Sequence, residues 1–170
     1  MGSEYYDQDI TDYSKKELED VISAVNPPIC LVGGWAVYFQ VNMDFKKSRG
    51  RDYIGSRDID LGVHIDTSWD ENEIRNSTVG RTLNSIENEL GYEKSRFGFV
   101  KYFDRKTGEA ITEEQSKDMP LYVIFSVFVD IIPDVDKLDT FKDAFGFKPP
   151  SEPLLREAFE KASDLPENLQ

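Results

Sequence analysis

Asp58 and Asp60 stand one residue apart in Ser56-Arg57-Asp58-Ile59-Asp60-Leu61-Gly62-Val63. Ile59, Leu61, Val63 and Ile65 alternate with Asp58, Asp60, Gly62 and His64. This period of two predicts a strand with both carboxylates on the face opposite the apolar row. Adjacent ionised carboxylates repel each other. A divalent cation between them removes that cost, and hard oxygen ligands suit magnesium, calcium or manganese. The plain alternative is an exposed strand face with two solvated acids. A third acid, Asp130, interrupts Leu121 to Pro133, the most apolar stretch of the chain. An unpaired buried carboxylate is costly, so Asp130 calls for a cation, a salt bridge or a strand end that reaches water.

Ile29-Cys30-Leu31-Val32 reads as a short buried strand, and Gly33-Gly34 follows at once. Trp35 to Val41 then reads as a helix. Strand, paired glycines and helix make a geometry that can cradle phosphate. Glycines let backbone amides approach an anion, and a helix start is electropositive. The alternative is a tight turn with no ligand. Met43 to Gly55 is expected to be a loop carrying Lys46, Lys47, Arg49 and Arg51. That cluster is either an ordinary solvated loop or a contact for substrate phosphates.

The remaining segments must position these residues. Residues 1–13 are acidic and tyrosine-rich and are expected to form a flexible arm before a single domain over 14–165. Ser14 to Glu17 matches a capping box, and Leu18, Val21, Ile22 and Val25 follow at helical spacing. Asp70 to Glu73 offers a second cap, for one long helix ending at Leu90 and Gly91. Tyr92 to Phe103 reads as a strand, with a hairpin partner near Ala110 to Thr112. Leu121 to Pro133 has two apolar faces, as a central strand does. A short helix is expected within 134–147, and a last one after Pro153 with Leu154, Leu155, Ala158, Phe159 and Ala162 inward.

The chain has 170 residues, a net charge of −13, one cysteine and one histidine. That length suits one domain with a real core. One histidine and one cysteine rule out the usual zinc sites. Cys30, in its apolar run, is expected in the core, which fits a reducing cytoplasm. No signal peptide or membrane span is expected. The acidic balance argues against binding long duplex nucleic acid.

Three stretches in order carry a family resemblance. They are Leu31-Val32-Gly33-Gly34-Trp35-Ala36-Val37, then Ser56-Arg57-Asp58-Ile59-Asp60-Leu61, then Val127-Phe128-Val129-Asp130-Ile131-Ile132-Pro133. Over residues 14 to 135 the chain resembles the nucleotidyltransferase superfamily that includes DNA polymerase beta. It looks most like the small archaeal and bacterial nucleotidyltransferase-like proteins. The resemblance implies an α+β fold, with helices packed on a mixed sheet of four to five strands. It implies that Asp58, Asp60 and Asp130 hold two magnesium ions, or manganese. Asp130 would also help to position or deprotonate the attacking hydroxyl. Gly33 and Gly34 would hold a triphosphate through backbone amides, and Ser56 and Arg57 would touch phosphate.

Two departures stand out. The commoner Gly-Ser is Gly-Gly here, so no hydroxyl stands at that turn. The region after Asp130 is short where many members carry a helical domain, which leaves room for a partner protein or a second copy to complete the site. The implied activity is transfer of a nucleoside monophosphate from NTP to a hydroxyl, with pyrophosphate leaving. The acceptor classes left open are a small molecule, a protein side chain and a tRNA end. Toxins of toxin–antitoxin pairs are often such enzymes, so that role belongs to the same reading. The alternative is a non-catalytic module of the same fold that binds nucleotide or a protein.

Overall fold

The computed structural model describes residues 8–161. Its strands are β1 (Ile29–Val32), β2 (Ile59–Val63), β3 (Glu93–Lys94), β4 (Gly98–Asp104), β5 (Ala110–Ile111) and β6 (Ile124–Pro133). Its α-helices are α1 (Gln8–Ala24), α2 (Gly33–Arg49), α3 (Glu71–Asn76), α4 (Thr78–Asn84), α5 (Glu113–Lys117), α6 (Asp139–Phe145) and α7 (Leu155–Lys161). The strands form one mixed sheet in the order β1-β2-β6-β4-β3, and β5 also pairs with β4. β2 runs parallel to β6, and the other pairs are antiparallel. The architecture is α+β with a mixed open sheet. It has six strands because two-residue strands β3 and β5 extend the hairpins on either end of β4.

β6 is central, as its apolar composition predicts. Phe125, Val127, Val129 and Ile131 are buried on one of its faces. Ile59, Leu61 and Val63 of β2 join them, with Leu18 and Val21 of α1, Ile74 of α3, Leu83 of α4 and Phe141 of α6, in one hydrophobic core. The other face of β6 carries Ser126, Phe128 and Asp130, of which Phe128 and Asp130 remain half-buried. α7 packs beside β1, and its Leu155 reaches Gly62 on this second face.

Local structure departs from expectation in several places. Helix α1 begins at Gln8, inside the segment expected to be an arm; residues 1–7 lie outside the described residues. Ser14 therefore sits within α1 and caps nothing. Its side chain is buried, and its hydroxyl donates to the Arg57 carbonyl at 2.9 Å while accepting from Trp35 Nε1 at 3.2 Å. The expected loop from Met43 is instead the second half of α2, which ends at Gly50 with φ 70°. Lys46, Lys47 and Arg49 form its last turn, where cations complement the helix dipole.

The long helix expected after Asp70 is broken. Asp70 and Glu73 form the predicted capping box, but Ser77 starts a new helix by accepting from Gly80 N at 3.1 Å. The helix then widens into a π-helical turn at Ser85–Glu89, and Gly91 closes it with φ 72°. Tyr92 to Phe103 is a hairpin, not one strand, because the chain turns between Lys94 and Gly98. Leu154 is 72% exposed and does not face inward, and Ala162 lies outside the described residues. Cys30 is only partly buried, since it shares the side of the sheet that carries Gly62. No helix among the described residues is long and apolar enough to cross a membrane.

Ser14 ties α1 to α2 and to the segment before β2. Ser14→Ala leaves the buried Trp35 indole N–H without its partner, at a cost of about 1–3 kcal/mol. A lower urea midpoint with an unchanged slope is the expected result, and an unchanged midpoint would refute this role.

Candidate active site

The register of β2 on β6 builds the site. Asp60 and Asp130 are direct partners across this parallel pair. Residues in register on parallel strands point to one face. Asp58, expected within the strand, lies instead in the bend just before β2, outside the ladder, and is close enough for its charge to act on both Asp60 and Asp130. All three side chains are half-buried. Burial, the charge of Asp130 and the charge of Asp58, in that order, push Asp60 up to about 6 from an ordinary 3.8. Burial and then Asp58 raise Asp130. Burial also raises Asp58, against the opposing pull of the Arg57 guanidinium. The three acids lie near enough to repel, and the surroundings hold too little positive charge to offset it.

The glycine bend closes one side of this group. Val32 pairs with Asp60 in the antiparallel β1–β2 ladder, so α2 begins beside that carboxylate. Gly33 has φ 66°, which favours glycine, and a Cβ there would overlap Asp60 Oδ2. A Cβ on Gly34 would stand 2.8 Å from Ser56 Cβ and Oγ. Both glycines are exposed, and Val32 gives α2 no side-chain cap. The first amides of a 17-residue helix are thus left for solvent or an anion, next to carboxylates that suit a cation.

Ser56 and Arg57 end up in different roles. Ser56 lines the bend against Gly34. Arg57 crosses to β6, where Nε donates to the Ser126 carbonyl at 3.1 Å and Nη2 to the Ser126 hydroxyl at 2.6 Å. Its guanidinium also lies 5.7 Å from the centre of the Phe128 ring. These contacts fix the residue before Asp58 to the strand of Asp130. The N–H groups of Nη1 and the second one of Nη2 take no part in these contacts.

No family model matches the chain, and no curated protein or solved structure does either. The chemistry of the site therefore rests on its residues. Among the described residues, no group of three or more His, Cys, Asp or Glu side chains is arranged to hold a metal ion. Magnesium does not need such a cage, because it keeps several waters and often takes only one or two protein carboxylates. Asp60 and Asp130, partners in register across the β2–β6 ladder, are two carboxylates of that chemistry.

A second cluster lies further along the same ladder. Gly62 pairs with Ile132 and Val63 with Pro133, so the register carries His64 next to Asp134. Asp134 has a fully buried side chain, 2.6 Å from His64 Nδ1 and 3.4 Å from Arg156 Nε. It also accepts from Ile65 N at 3.0 Å. This cluster anchors α7 and stands apart from the three acids. Asp134 carries no motif of its own in the sequence, but four residues on from Asp60 and Asp130 the register leads to His64 and Asp134.

The raised value of Asp60 has a direct consequence for stability. The native state holds a proton that the unfolded state has released, so stability falls as pH rises from about 4 to above 6. In EDTA, Asp60→Asn should melt higher than the wild type at neutral pH, and the gain should vanish near pH ~4. A variant that melts lower at neutral pH would show that the carboxylate is not strained by its neighbours.

Proposed function

We propose that this protein is a metal-dependent nucleotidyltransferase, with the fold of that superfamily. The observation that carries the reading is the placement of Asp60 opposite Asp130, against a glycine bend that no larger residue could form. Carboxylates and the uncapped amides of a helix start thereby lie side by side, which supports a metal–triphosphate as the substrate.

In this reading Asp58, Asp60 and Asp130 would hold two magnesium or manganese ions, which would supply positive charge for the attacking and leaving oxygens. The exposed amides of Gly33 and Gly34 bind the phosphates and orient them with the helix dipole. Arg57, braced on Ser126, presents its remaining nitrogen to a phosphate oxygen. Asp130 positions the acceptor hydroxyl and takes up its proton. The acceptor oxygen bonds to the α-phosphorus while the bond to pyrophosphate breaks. The protein contributes position and charge more than covalent chemistry.

One observation favours a second reading, a nucleotide-binding module without chemistry. Among the described residues no three acids are arranged to hold a metal ion, and Arg57 is already held by two hydrogen bonds to Ser126. The two readings separate by calorimetry with each of the four NTPs, in magnesium and in EDTA. The enzyme reading expects magnesium-dependent binding that Asp58→Asn abolishes. It also expects Asp130→Asn to lower turnover about 100-fold or more, as loss of a positioned base does. Binding that ignores metal and both substitutions would leave the non-catalytic module as the description.

A further inference from the structure

We propose that the outer half of α2, with the segment returning from it, is a docking arm for single-stranded nucleic acid. The inference rests on the nucleotidyltransferase reading only in that such a strand would present its terminal hydroxyl to that site.

Charge is the first observation. Phe45 to Arg51 holds Lys46, Lys47, Arg49 and Arg51 with no acid, in a chain of net charge −13. Asp44 and Asp52 flank it, and each is occupied: Lys47 lies 3.7 Å from Asp44, and Lys46 lies 3.2 Å from Asp52. No carboxylate among the described residues pairs with Arg49 or Arg51. A polyanion is repelled by most of this surface and attracted here, so the arm would also set its orientation.

Shape is the second. α2 starts at the glycine bend, so its tip lies about 24 Å from the carboxylates. The chain then runs back along the helix towards them. Asn42 receives Tyr53 N at 2.7 Å and donates to Asp52 at 3.0 Å; Gly55 lies on the Trp35 ring, and Ser56 on Gly34. The return segment is thus a fixed track from the basic tip to the site.

Aromatic rings interleave with the cations along this track. Arg51 lies 5.3 Å from the centre of the Phe45 ring, which meets Tyr53 edge-on at 5.2 Å. Nearer the site, Lys15 lies 5.5 Å from the centre of the Tyr38 ring, which belongs to the core. The cleft of about 90 Å³ beside it is lined by Asp12 and Asp52 as well as Lys15 and Tyr53, so the contacts offered to a strand are those of the outer tip at Phe45, Arg51 and Tyr53. Cations for phosphates and rings for unstacked bases are what a single strand needs, and a duplex offers no free base faces. The last-turn cations also complement the helix dipole. Arg51 lies beyond the helix end, so that effect does not account for it.

The test is anisotropy of labelled single-stranded RNA and DNA of one sequence, with full-length protein in EDTA. Binding should weaken with salt at a slope of about −0.7 per phosphate contacted. The variant Lys47→Glu/Arg49→Glu/Arg51→Glu should lose about ten-fold or more in affinity and show a shallower slope. Arg49→Glu alone, at an exposed position without an ion pair, should lose part of it while melting as the wild type does. A preference for RNA or DNA would identify the strand. Absence of binding by the wild type, equal binding by the triple variant, or equal displacement by poly-glutamate would overturn the proposal. Calorimetry with magnesium and NTP on the same preparations keeps the two readings apart. Strand binding without NTP binding upholds the arm and sinks the enzyme, and the reverse result sinks the arm alone.

Discussion

The parallel register of β2 on β6 is the constraint on which the rest of this molecule depends. It sets Asp60 against Asp130, and the same ladder, followed four residues on, sets His64 against Asp134. A slip of one residue would turn every β2 side chain to the wrong face. Ile59, Leu61 and Val63 would leave the core, and the acids would enter it. The hydrophobic row therefore enforces a carboxylate arrangement that repulsion alone would not choose. Core burial and site geometry are two consequences of one pairing.

Around that pairing the structure sets opposite charges side by side. The start of α2 offers amide N–H groups, and the strands offer carboxylates. Gly33 makes the approach feasible, since a side chain there would displace Asp60. Burial leaves the acids under strain in the absence of a cation, and Asp60 bears most of it. Functional sites often hold such local cost where the surrounding fold over-determines the geometry. Here the over-determination comes from Arg57 on Ser126 and from Ser14 between Trp35 and the Arg57 carbonyl. Three elements, α1, α2 and β6, thereby hold the residue next to Asp58.

The same bracing defines what α2 presents outward. Its inner end is tied down by Trp35, and its outer end by Asn42, Asp52 and Tyr53. The helix is a spacer between an acidic cluster and a basic tip. Local sign of charge, and not the net value, governs what approaches each end.

Much of this was legible in the sequence. Period-two alternation gave the face of Asp60, though not the bend at Asp58, and the apolar run around Asp130 gave the central place of β6. The Asp70 cap, the Gly91 stop and the glycine bend followed from local backbone chemistry. The length of α2 was not legible, because its polar outer half owes its place to the segment folded back upon it. Ser14 read as a cap from its local pattern, but burial against Trp35 and Arg57 placed it mid-helix. Cys30 read as core, yet its neighbour Gly62 fixes it on the other side of the sheet. Sequence alone thus determined which residues could carry charge on each strand face, since that depends only on spacing along the chain. Tertiary structure alone decided that Asp130 meets Asp60 and that Arg57 is tied to Ser126, since both depend on which strands become neighbours.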